Sequence, residues 1–441
     1  MKMNCVKTGI NGEGIGYDHR RPVFCPGVLA GETAEIRITE SNPTYARAEC
    51  VRILEPSVHR IPSACPHSTE CGGCPFLCAD HDFMIEQKLS LLKEALYKYG
   101  NVKESFIRGM HEAPLDTRYR SACKLPVRMV DGKLVTGMYA AGTNRFIPVE
   151  DCLVHTEEIE TLRRSILAVL NKYSIPAFDA KKDSGLRYLV LRSIQSHAQC
   201  AFITGKHTSF PKECLEELMN IPTMESIVQS LNSDRRSRSI FGSACRTLAG
   251  TDHILIEIEG IRLRLNAESF FQLNTAQAAA LYRTAIAKVQ NCEALAELYC
   301  GVGAMSLMAK DRAAYICGIE NVPAAIRNAR YNAEINGVTN AEFLCADAAE
   351  GYRKMSAVHR FDTVLADPPR SGMDEAMLEA LEEYPADRLI YISCNPVTLA
   401  KNIRTLKKTY ELRTVIPFDL FPQTPHVESI TVMTRRGVKG L

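Results

Sequence analysis

The segment LIYISCNPVTLAKN, residues 389–402, places a cysteine at the end of an apolar strand and directly before a turn. Ser393, Cys394, Asn395 and Pro396 lead from that strand into a predicted helix. A lone cysteine is most often buried as a small apolar residue. At the exposed end of a strand, however, a thiolate can act as a nucleophile, and Cys394 is therefore a candidate for covalent chemistry.

The neighbouring motifs indicate which chemistry a thiol would serve. ADPPRSGM (366–373) continues with Arg370 where amine-methylating enzymes usually carry an aromatic ring, and it contains no cysteine of its own. Addition of a thiolate to carbon 6 of a pyrimidine would allow carbon 5 to accept a methyl group. A general base must then remove the carbon-5 proton. DLFPQTPHVESI (419–430) offers Glu428, with His426 as the rival base.

Residues 271–441 alternate apolar strands with helix-like segments. The strands are predicted at ALAELYC, AYICGIE, AEFLCAD, FDTVLAD and LIYISCN, and two more near 412–418 and 430–434 close the chain. Strands and helices alternating at this spacing predict βαβ units on a parallel sheet. In such sheets, ligands bind beyond the carboxyl ends of the strands.

Four of those strand ends carry chemistry that suits a nucleoside. Gly301 and Gly303 would let the backbone approach a ligand, and Glu320, 17 residues beyond Gly303, could accept hydrogen bonds from ribose hydroxyls. Asp347 and Asp367 follow the next two strands. The loop lacks a third glycine and a P-loop lysine, so this combination favours S-adenosylmethionine over a dinucleotide or ATP.

Residues 1–60 predict a small β-barrel, because apolar and polar residues alternate between Gly and Pro turn signals. Such barrels often bind oligonucleotides on a basic face. The basic residues here are His19, Arg20, Arg21, Arg37, Arg47 and Arg52. The alternative is a solvated barrel with ordinary surface arginines. A second basic spot, RRSR (235–238), is typical of a solvated loop.

CPHSTECGGCPFLC brings Cys65, Cys71, Cys74 and Cys78 close together in the chain. Thiolates at this spacing could bind a soft metal centre, either an iron–sulfur cluster or zinc. The spacing differs from the CxxxCxxC pattern of radical enzymes. Unligated core cysteines are the remaining alternative.

The ordered motifs resemble those of the RNA uracil-C5 methyltransferases over nearly the whole chain. They are SFFQLNTAQAAALY (269–282), ELYCGVG (297–303), ADPPRSG (366–372), ISCNP (392–396) and FPQTPHVESI (421–430). The resemblance implies that Cys394 is the nucleophile and Glu428 the proton-abstracting base. It also implies an S-adenosylmethionine site lined by Gln272, Tyr299, Glu320, Asp347 and Asp367. Ala304 stands where some relatives carry Asn.

The same resemblance implies a [4Fe-4S] cluster held by Cys65, Cys71, Cys74 and the distant Cys152, with Cys78 or zinc as the alternatives. Relatives that methylate transfer RNA typically lack both barrel and cluster. The expected product is therefore 5-methyluridine in 23S ribosomal RNA. Cytosine-C5 methylation of RNA, uracil-C5 methylation of transfer RNA and a non-catalytic RNA-binding assembly factor remain open.

The expected fold is α/β, with three parts. Residues 1–60 form a TRAM- or OB-like barrel, 61–270 a mixed α+β central domain with the cysteine cluster, and 271–441 a Rossmann-like class I S-adenosylmethionine methyltransferase domain. The formal net charge is only +2, so RNA contacts must be local. No signal or membrane span is predicted, so we expect a cytoplasmic protein, in which the 17 cysteines stay reduced. We also expect a monomer.

Overall fold

The structure is a computed structural model and describes residues 1–234, 236–237, 239–242 and 245–438. Its strands form one six-stranded sheet, two seven-stranded sheets and a two-stranded hairpin. Across the part of the chain that is described, no helix has the length and apolar character needed to span a membrane.

The N-terminal sheet has the strand order β1-β5-β6-β4-β3-β2. Its strands are β1 (Lys2–Asn4), β2 (Lys7–Thr8), β3 (Gly14–Asp18), β4 (Arg21–Cys25), β5 (Thr33–Ser41) and β6 (Ala46–Glu55). Inward-facing residues such as Val23, Ala34 and Ile36 form its own small apolar core. This sheet occupies the region for which the sequence predicts a barrel.

A long helix, α1 (His81–Gly100), follows the cysteine-rich loop, and a short 3₁₀ helix (Glu104–Phe106) comes after it. The Asp80 side chain caps the start of α1 by accepting a hydrogen bond from the Phe83 N–H at 2.9 Å. Leu92 and Leu96 are fully buried in an apolar core shared with the C-terminal sheet. The helix therefore packs on the C-terminal part of the protein, and the boundaries 1–60, 61–270 and 271–441 stay predictions.

The central sheet has the order β13-β12-β11-β10-β7-β8-β9 and is antiparallel except between β11 and β12. Two helices pack on it, and a separate hairpin follows. In chain order these elements are β7 (Ala122–Val130), β8 (Lys133–Tyr139), β9 (Phe146–Pro148), α2 (Glu157–Lys172), β10 (Leu186–Ile194), β11 (His197–Thr204), α3 (Lys212–Met219), β12 (Met224–Leu231), β13 (Cys245–Gly250), β14 (His253–Ile258) and β15 (Ile261–Asn266).

The C-terminal sheet confirms the predicted alternation of strands and helices. Its order is β18-β17-β16-β19-β20-β22-β21, with five parallel strands followed by β22, which is antiparallel to both of its neighbours, β20 and β21. The elements are α4 (Thr275–Ala287), β16 (Cys292–Leu298), α5 (Ala304–Met308), β17 (Ala313–Glu320), α6 (Pro323–Ile335), β18 (Ala341–Cys345), α7 (Ala348–Ser356), β19 (Thr363–Ala366), α8 (Glu375–Glu383), β20 (Arg388–Ser393), α9 (Pro396–Leu406), β21 (Tyr410–Phe418) and β22 (Glu428–Arg435).

Candidate active site

Cys394 and Glu428 are brought together by the pairing of two strands. Strand β20 runs antiparallel to β22, with Ile392 opposite Ile430 and Ser393 opposite Ser429. Continuing this register by one residue puts Cys394 opposite Glu428, where α-carbons of paired strands lie about 5 Å apart. Residues directly opposite each other project to the same face of a sheet. The thiol and the carboxyl group therefore face the same space.

The turn after β20 explains why the thiol does not enter the core. The Asn395 side chain caps α9 by accepting a hydrogen bond from the Val397 N–H at 3.0 Å, and Pro396 starts the helix. The Asn395 amide also donates to the Arg370 carbonyl at 3.1 Å, which ties this turn to the Asp-Pro-Pro-Arg loop. Cys394 is left half-buried at the strand end.

The surroundings of Cys394 disfavour charge on the acidic groups. Burial, followed by the nearby Glu428 and Asp367, raises the pKa of the Cys394 thiol to about 11, and Arg370 opposes that rise. Burial also raises the pKa of Asp367 to about 7. The pKa of Glu428 is raised well above its ordinary value by burial and by Asp367. The two carboxyl groups therefore hold protons more tightly than exposed ones do.

The rival base, His426, has the opposite shift. Burial first, and then the positive charges of Arg370, Lys88 and Arg120, lower its pKa to about 4. Its imidazole is neutral at pH 7 but only a weak base. A carboxylate with a raised pKa is the stronger proton acceptor, so the electrostatics favour Glu428.

The loop after β16 has the backbone of a ligand-binding turn. Tyr299 has a positive φ of 61°, a strained conformation for a residue with a side chain. Gly303 has a φ of 81°, and a Cβ there would lie 2.9 Å from the Phe343 ring. At the next strand end, the Glu320 carboxylate accepts hydrogen bonds from the Gly301 N–H at 3.2 Å and the Val322 N–H at 3.0 Å. Glu320 is thereby held directly beside the glycine loop.

Two further acidic residues have structural partners. Asp347 is exposed and caps α7, with one carboxylate oxygen accepting from the Ala349 N–H at 3.0 Å and the Glu350 N–H at 3.3 Å. Glu297, within the ELYCGVG motif, is buried and accepts from the Ser306 N–H at 2.7 Å. Glu297 therefore has a structural role, because it holds the start of α5, the helix that follows the glycine loop.

Gln272 lies next to a residue that the sequence analysis missed. Its side chain is buried and lies close enough to the hydroxyl group of Tyr282 on α4 to lower the pKa of that group. Burial raises the pKa of Tyr282 strongly, and Asp367, Glu297 and Glu428 add to the rise. Tyr282 is thus a neutral phenol close to the acidic residues of the site. Its place at the end of the SFFQLNTAQAAALY motif was the available signal.

The segment 419–427, here called the base loop, leads into Glu428 and is held by distant parts of the chain. The ammonium group of Lys88 on α1 forms a fully buried ion pair with Asp419 and donates to the Phe421 carbonyl at 2.9 Å. Three more hydrogen bonds fix the same loop. They join Tyr119 to the Pro422 carbonyl at 2.9 Å, Asn274 to the Leu420 carbonyl at 3.2 Å, and the Phe76 N–H to the Gln423 carbonyl at 3.2 Å.

Four of the candidate metal ligands interact electrostatically with one another. Cys71 and Cys74 each interact with Cys65 and Cys152, whereas Cys78 interacts with Arg60 and Glu32 instead. Burial raises the pKa of Cys74 to about 12. As placed among the described residues, no group of three or more His, Cys, Asp or Glu side chains is arranged to hold a metal ion. The thiols are therefore neighbours, but the iron–sulfur prediction is not confirmed.

The predicted basic face of the barrel is largely neutralised. Arg21, Arg37, Arg47 and Arg52 each form an ion pair with a carboxylate of the same sheet. Arg235 and Arg238 of the RRSR segment lie outside the described residues. Uncompensated positive charge must therefore be sought elsewhere, closer to Cys394.

Comparison with known proteins identifies the family. The family model for tRNA (Uracil-5-)-methyltransferase matches residues 248–436, and the TRAM domain model matches residues 7–51. A protein of Bacillus cereus named as an uncharacterized RNA methyltransferase is 33% identical over 439 residues, covering 98% of this chain and 95% of the relative. One from Listeria innocua with the same description is 34% identical over 436 residues, covering 96% and 95%.

A solved structure agrees over the full length. The tRNA (uracil-54, C5)-methyltransferase of Pyrococcus abyssi, in complex with S-adenosyl-L-homocysteine, has a TM-score of 0.78 and 25% identity and covers 98% of this chain and 100% of that one. The predicted class I methyltransferase fold with an N-terminal TRAM domain is thereby confirmed. The chain belongs to the RNA methyltransferases, and its residues 248–436 match the uracil-5 family model.

Proposed function

We propose that this protein transfers a methyl group from S-adenosylmethionine to carbon 5 of a uridine in 23S ribosomal RNA, through a covalent bond to Cys394. The observation that carries the proposal is the register of β20 and β22, in which Cys394 lies opposite Glu428. Asp367, at the end of the neighbouring strand, lies near both. A thiol and a carboxyl group sharing one space are the two groups that this chemistry requires.

The reaction begins with addition of the Cys394 thiolate to carbon 6 of the uracil ring, which breaks the carbon 5–carbon 6 double bond and makes carbon 5 nucleophilic. When bound, S-adenosylmethionine would supply an electrophilic methyl group to carbon 5, and the electron pair of the broken sulfur–methyl bond would stay on sulfur in S-adenosylhomocysteine. Glu428 then removes the carbon-5 proton. The electron pair left behind re-forms the double bond and expels Cys394 as a thiolate. No electrons are lost or gained overall, so the protein needs no redox partner for this step.

The cofactor site of the proposal lies along the carboxyl ends of β16 to β19. Tyr299 and the glycine loop would border the methionine side, and Glu320 would accept hydrogen bonds from the ribose in place of its present backbone partners. Gln272, a neighbour of Tyr282, and Asp367, a neighbour of Glu428, would border the reacting groups. Asp347 would act at the adenine end mainly by holding the start of α7.

The uracil must leave its stack to reach Cys394, which favours a loop of RNA over a duplex. The proposal of ribosomal RNA depends on the sequence resemblance, with its combination of a barrel and a cysteine cluster. Transfer RNA is the second candidate, because the Pyrococcus abyssi enzyme acts on it and aligns with this chain over its barrel as well. Overall architecture therefore does not separate the two substrates.

Nucleoside mass spectrometry of separated RNA pools from a deletion strain tests the substrate. We expect 5-methyluridine to disappear from 23S ribosomal RNA and to return with the wild-type gene but not with Cys394→Ala. Loss from transfer RNA alone would select the second candidate. Loss of 5-methylcytidine would select cytosine as the target, and an unchanged nucleoside profile would favour a non-catalytic assembly factor.

We further propose that Cys65, Cys71, Cys74 and Cys152 hold a [4Fe-4S] cluster. Their mutual proximity and thiol chemistry suit such a cluster, and Cys78 faces other partners. Bound there, the cluster would fasten the 65–78 loop to the central domain. Anaerobically purified protein should contain about four iron atoms per chain, given that cluster type. Cys74→Ser should lose them while the matched control Cys78→Ser retains them, and zinc without iron would contradict the proposal.

We also propose that the enzyme is a cytoplasmic monomer that meets its RNA without a membrane partner. Size-exclusion chromatography with light scattering checks the oligomeric state. A mass near 49 kDa is the expected result, and a stable dimer would contradict it.

A further inference from the structure

A groove of about 340 Å³ joins the N-terminal barrel to the active site. Cys394 and His426 lie at one side of it. Ile10 and Phe24 of the barrel form a second wall, and Tyr99 at the end of α1 lies on the third. The groove is thus continuous with the space in which the target uracil would react.

The barrel wall is apolar and partly open to solvent. Ile10 is 51% exposed at the turn between β2 and β3, which is a large exposure for an aliphatic side chain. Phe24 is half-buried on β4 and packs edge-on against Tyr45 at 6.1 Å. Exposed apolar side chains lining a concave site are suited to contact a nucleobase.

Positive charge without carboxylate partners borders the groove, because Lys98 and Arg370 line it and Lys401 lies beside its Tyr99 wall. The ammonium groups of Lys98 on α1 and Lys401 on α9 lie 5.2 and 5.8 Å from the centre of the Tyr99 ring. Arg370 is exposed beside Cys394. Within the ranges that the structure describes, none of these three cations is ion-paired with a carboxylate.

Positive charge outweighs negative charge along the groove. Glu94 pairs with Lys7 at 2.6 Å, so these two charges cancel. Glu13 accepts hydrogen bonds only from the neutral Asn11, including one from its backbone N–H at 2.9 Å, and has no ion-pair partner among the described residues. Lys98 and Arg370 in the lining and Lys401 beside it outnumber this one carboxylate, so the surplus charge is positive, in contrast to the neutralised arginines on the outer face of the barrel.

We propose that this groove is the binding site for the nucleotide next to the target uridine. Its phosphate would lie against Lys98, Lys401 and Arg370, and its base against Ile10 and Phe24. The inference rests on the proposed function, because it takes Cys394 as the point at which the RNA chain presents its uracil. An RNA chain must continue beyond that uracil, and this groove opens directly beside it.

The phosphate contacts are tested with Lys98→Gln/Lys401→Gln. We expect the KM for RNA to rise about tenfold, with kcat and the KM for S-adenosylmethionine unchanged. The slope of log RNA affinity against log salt concentration should become shallower by about one for each lysine replaced. The matched control is Lys93→Gln on the same helix, whose ammonium group is paired with Glu104. An unchanged KM, or an equal change in the control, would overturn the inference.

The base contact is tested by Ile10→Ser, which should raise the KM for RNA. Val51→Ser is the control and should leave that KM unchanged, because Val51 is a similarly exposed aliphatic residue of the same sheet at 55%. RNA carrying 4-thiouridine beside the target should cross-link to the peptide that contains Ile10, or to the end of α1. Cross-links confined to other segments would overturn the site.

Failure of the inference is distinguishable from failure of the proposed function. If wild-type protein forms 5-methyluridine but neither set of variants alters the KM for RNA, the inference is wrong and the function stands. If wild type modifies no uridine, the proposed function is wrong. RNA affinity and cross-linking then still test the groove independently.

Discussion

The chain uses thiols in two contrasting regions. Cys394 stands alone at a strand end, beside Glu428 and Asp367. In the 65–78 loop, by contrast, the thiols of Cys65, Cys71 and Cys74 lie near one another. Cys152, which comes 74 residues after Cys78 in the chain, lies near them as well. The first arrangement suits a nucleophile, because one sulfur faces a reacting space with a base. The second suits a bound metal centre, because several sulfurs share one space.

The two regions also meet physically. The Phe76 N–H of the cysteine loop donates to the Gln423 carbonyl of the base loop, five residues before Glu428. The proposed cluster and the proposed base are therefore joined through one hydrogen bond and a short segment. A cluster held by the cysteine loop would therefore affect catalysis through the position of the base loop, without taking part in the chemistry.

The largest expected effect follows removal of the lone thiol. Cys394→Ala should lower the methylation rate by about 10⁴-fold or more, because the covalent route is lost. Transfer of a radiolabelled methyl group to RNA measures this. Cys292→Ala is the control, since Cys292 lies at the opposite end of the sheet, at the start of β16. A Cys394→Ala enzyme with the wild-type rate would erase the difference between the two thiol regions.

Removal of the base should be nearly as damaging but should leave a different species. Glu428→Gln keeps the shape of the side chain and should slow turnover by about 10²- to 10⁴-fold. Because carbon-6 addition precedes proton removal, this variant should accumulate a covalent RNA–protein complex on ordinary uridine RNA, visible on a denaturing gel. His426→Asn should accumulate none. The reverse pattern would make His426 the base.

Breaking the buried ion pair beneath the base loop should destabilise the fold. Lys88→Met leaves Asp419 buried without its partner, which costs about 3–5 kcal/mol of unfolding free energy. Lys88→Met/Asp419→Asn should recover part of the loss. Removing the exposed partner in Lys172→Met, from the pair with Glu217, should cost much less, because solvent screens that pair. Urea unfolding followed by circular dichroism measures all three, and equal losses at both pairs would contradict the assigned burial.

The smallest effect is a graded response to pH. Glu428 and Cys394 would act in their deprotonated forms, and the pKa of each is raised, so activity should increase as pH rises. The Cys394 thiol, with a pKa of about 11, should by itself lower kcat/KM by up to about tenfold per pH unit between pH 8 and 6. Protonation of Glu428 should steepen this decline, whereas His426, with a pKa of about 4, would not. A wild-type profile no steeper than that of Glu428→Gln over this range would contradict Glu428 as the base.

Local sequence patterns predicted much of the C-terminal sheet. The five parallel strands and the residues at their carboxyl ends follow from apolar runs and turn signals, and Glu320 lies beside the glycine loop as predicted. The antiparallel pairing of β20 with β22, which faces Cys394 with Glu428, is not encoded in any short window. The ordered motifs implied that Cys394 and Glu428 act together, but only the fold supplies the register that sets them opposite each other.

Other features were beyond local patterns for a clear physical reason. Lys88 and Asp419 are 331 residues apart, and neither residue type predicts burial. Tyr282 resembles an ordinary helix residue until its neighbours Asp367 and Glu428 are placed around it. The arginines of the barrel suggested an RNA face, but their cross-strand carboxylates neutralise them.

The most direct test of the central claim uses RNA with 5-fluorouridine at the target position. Fluorine replaces the proton that Glu428 would remove, so the reaction should stop after methyl transfer with the RNA still attached. The account predicts a covalent complex carrying one added methyl group, and peptide mass spectrometry should locate the attachment at Cys394. Attachment at another cysteine, or no complex from a preparation that methylates ordinary RNA, would contradict it.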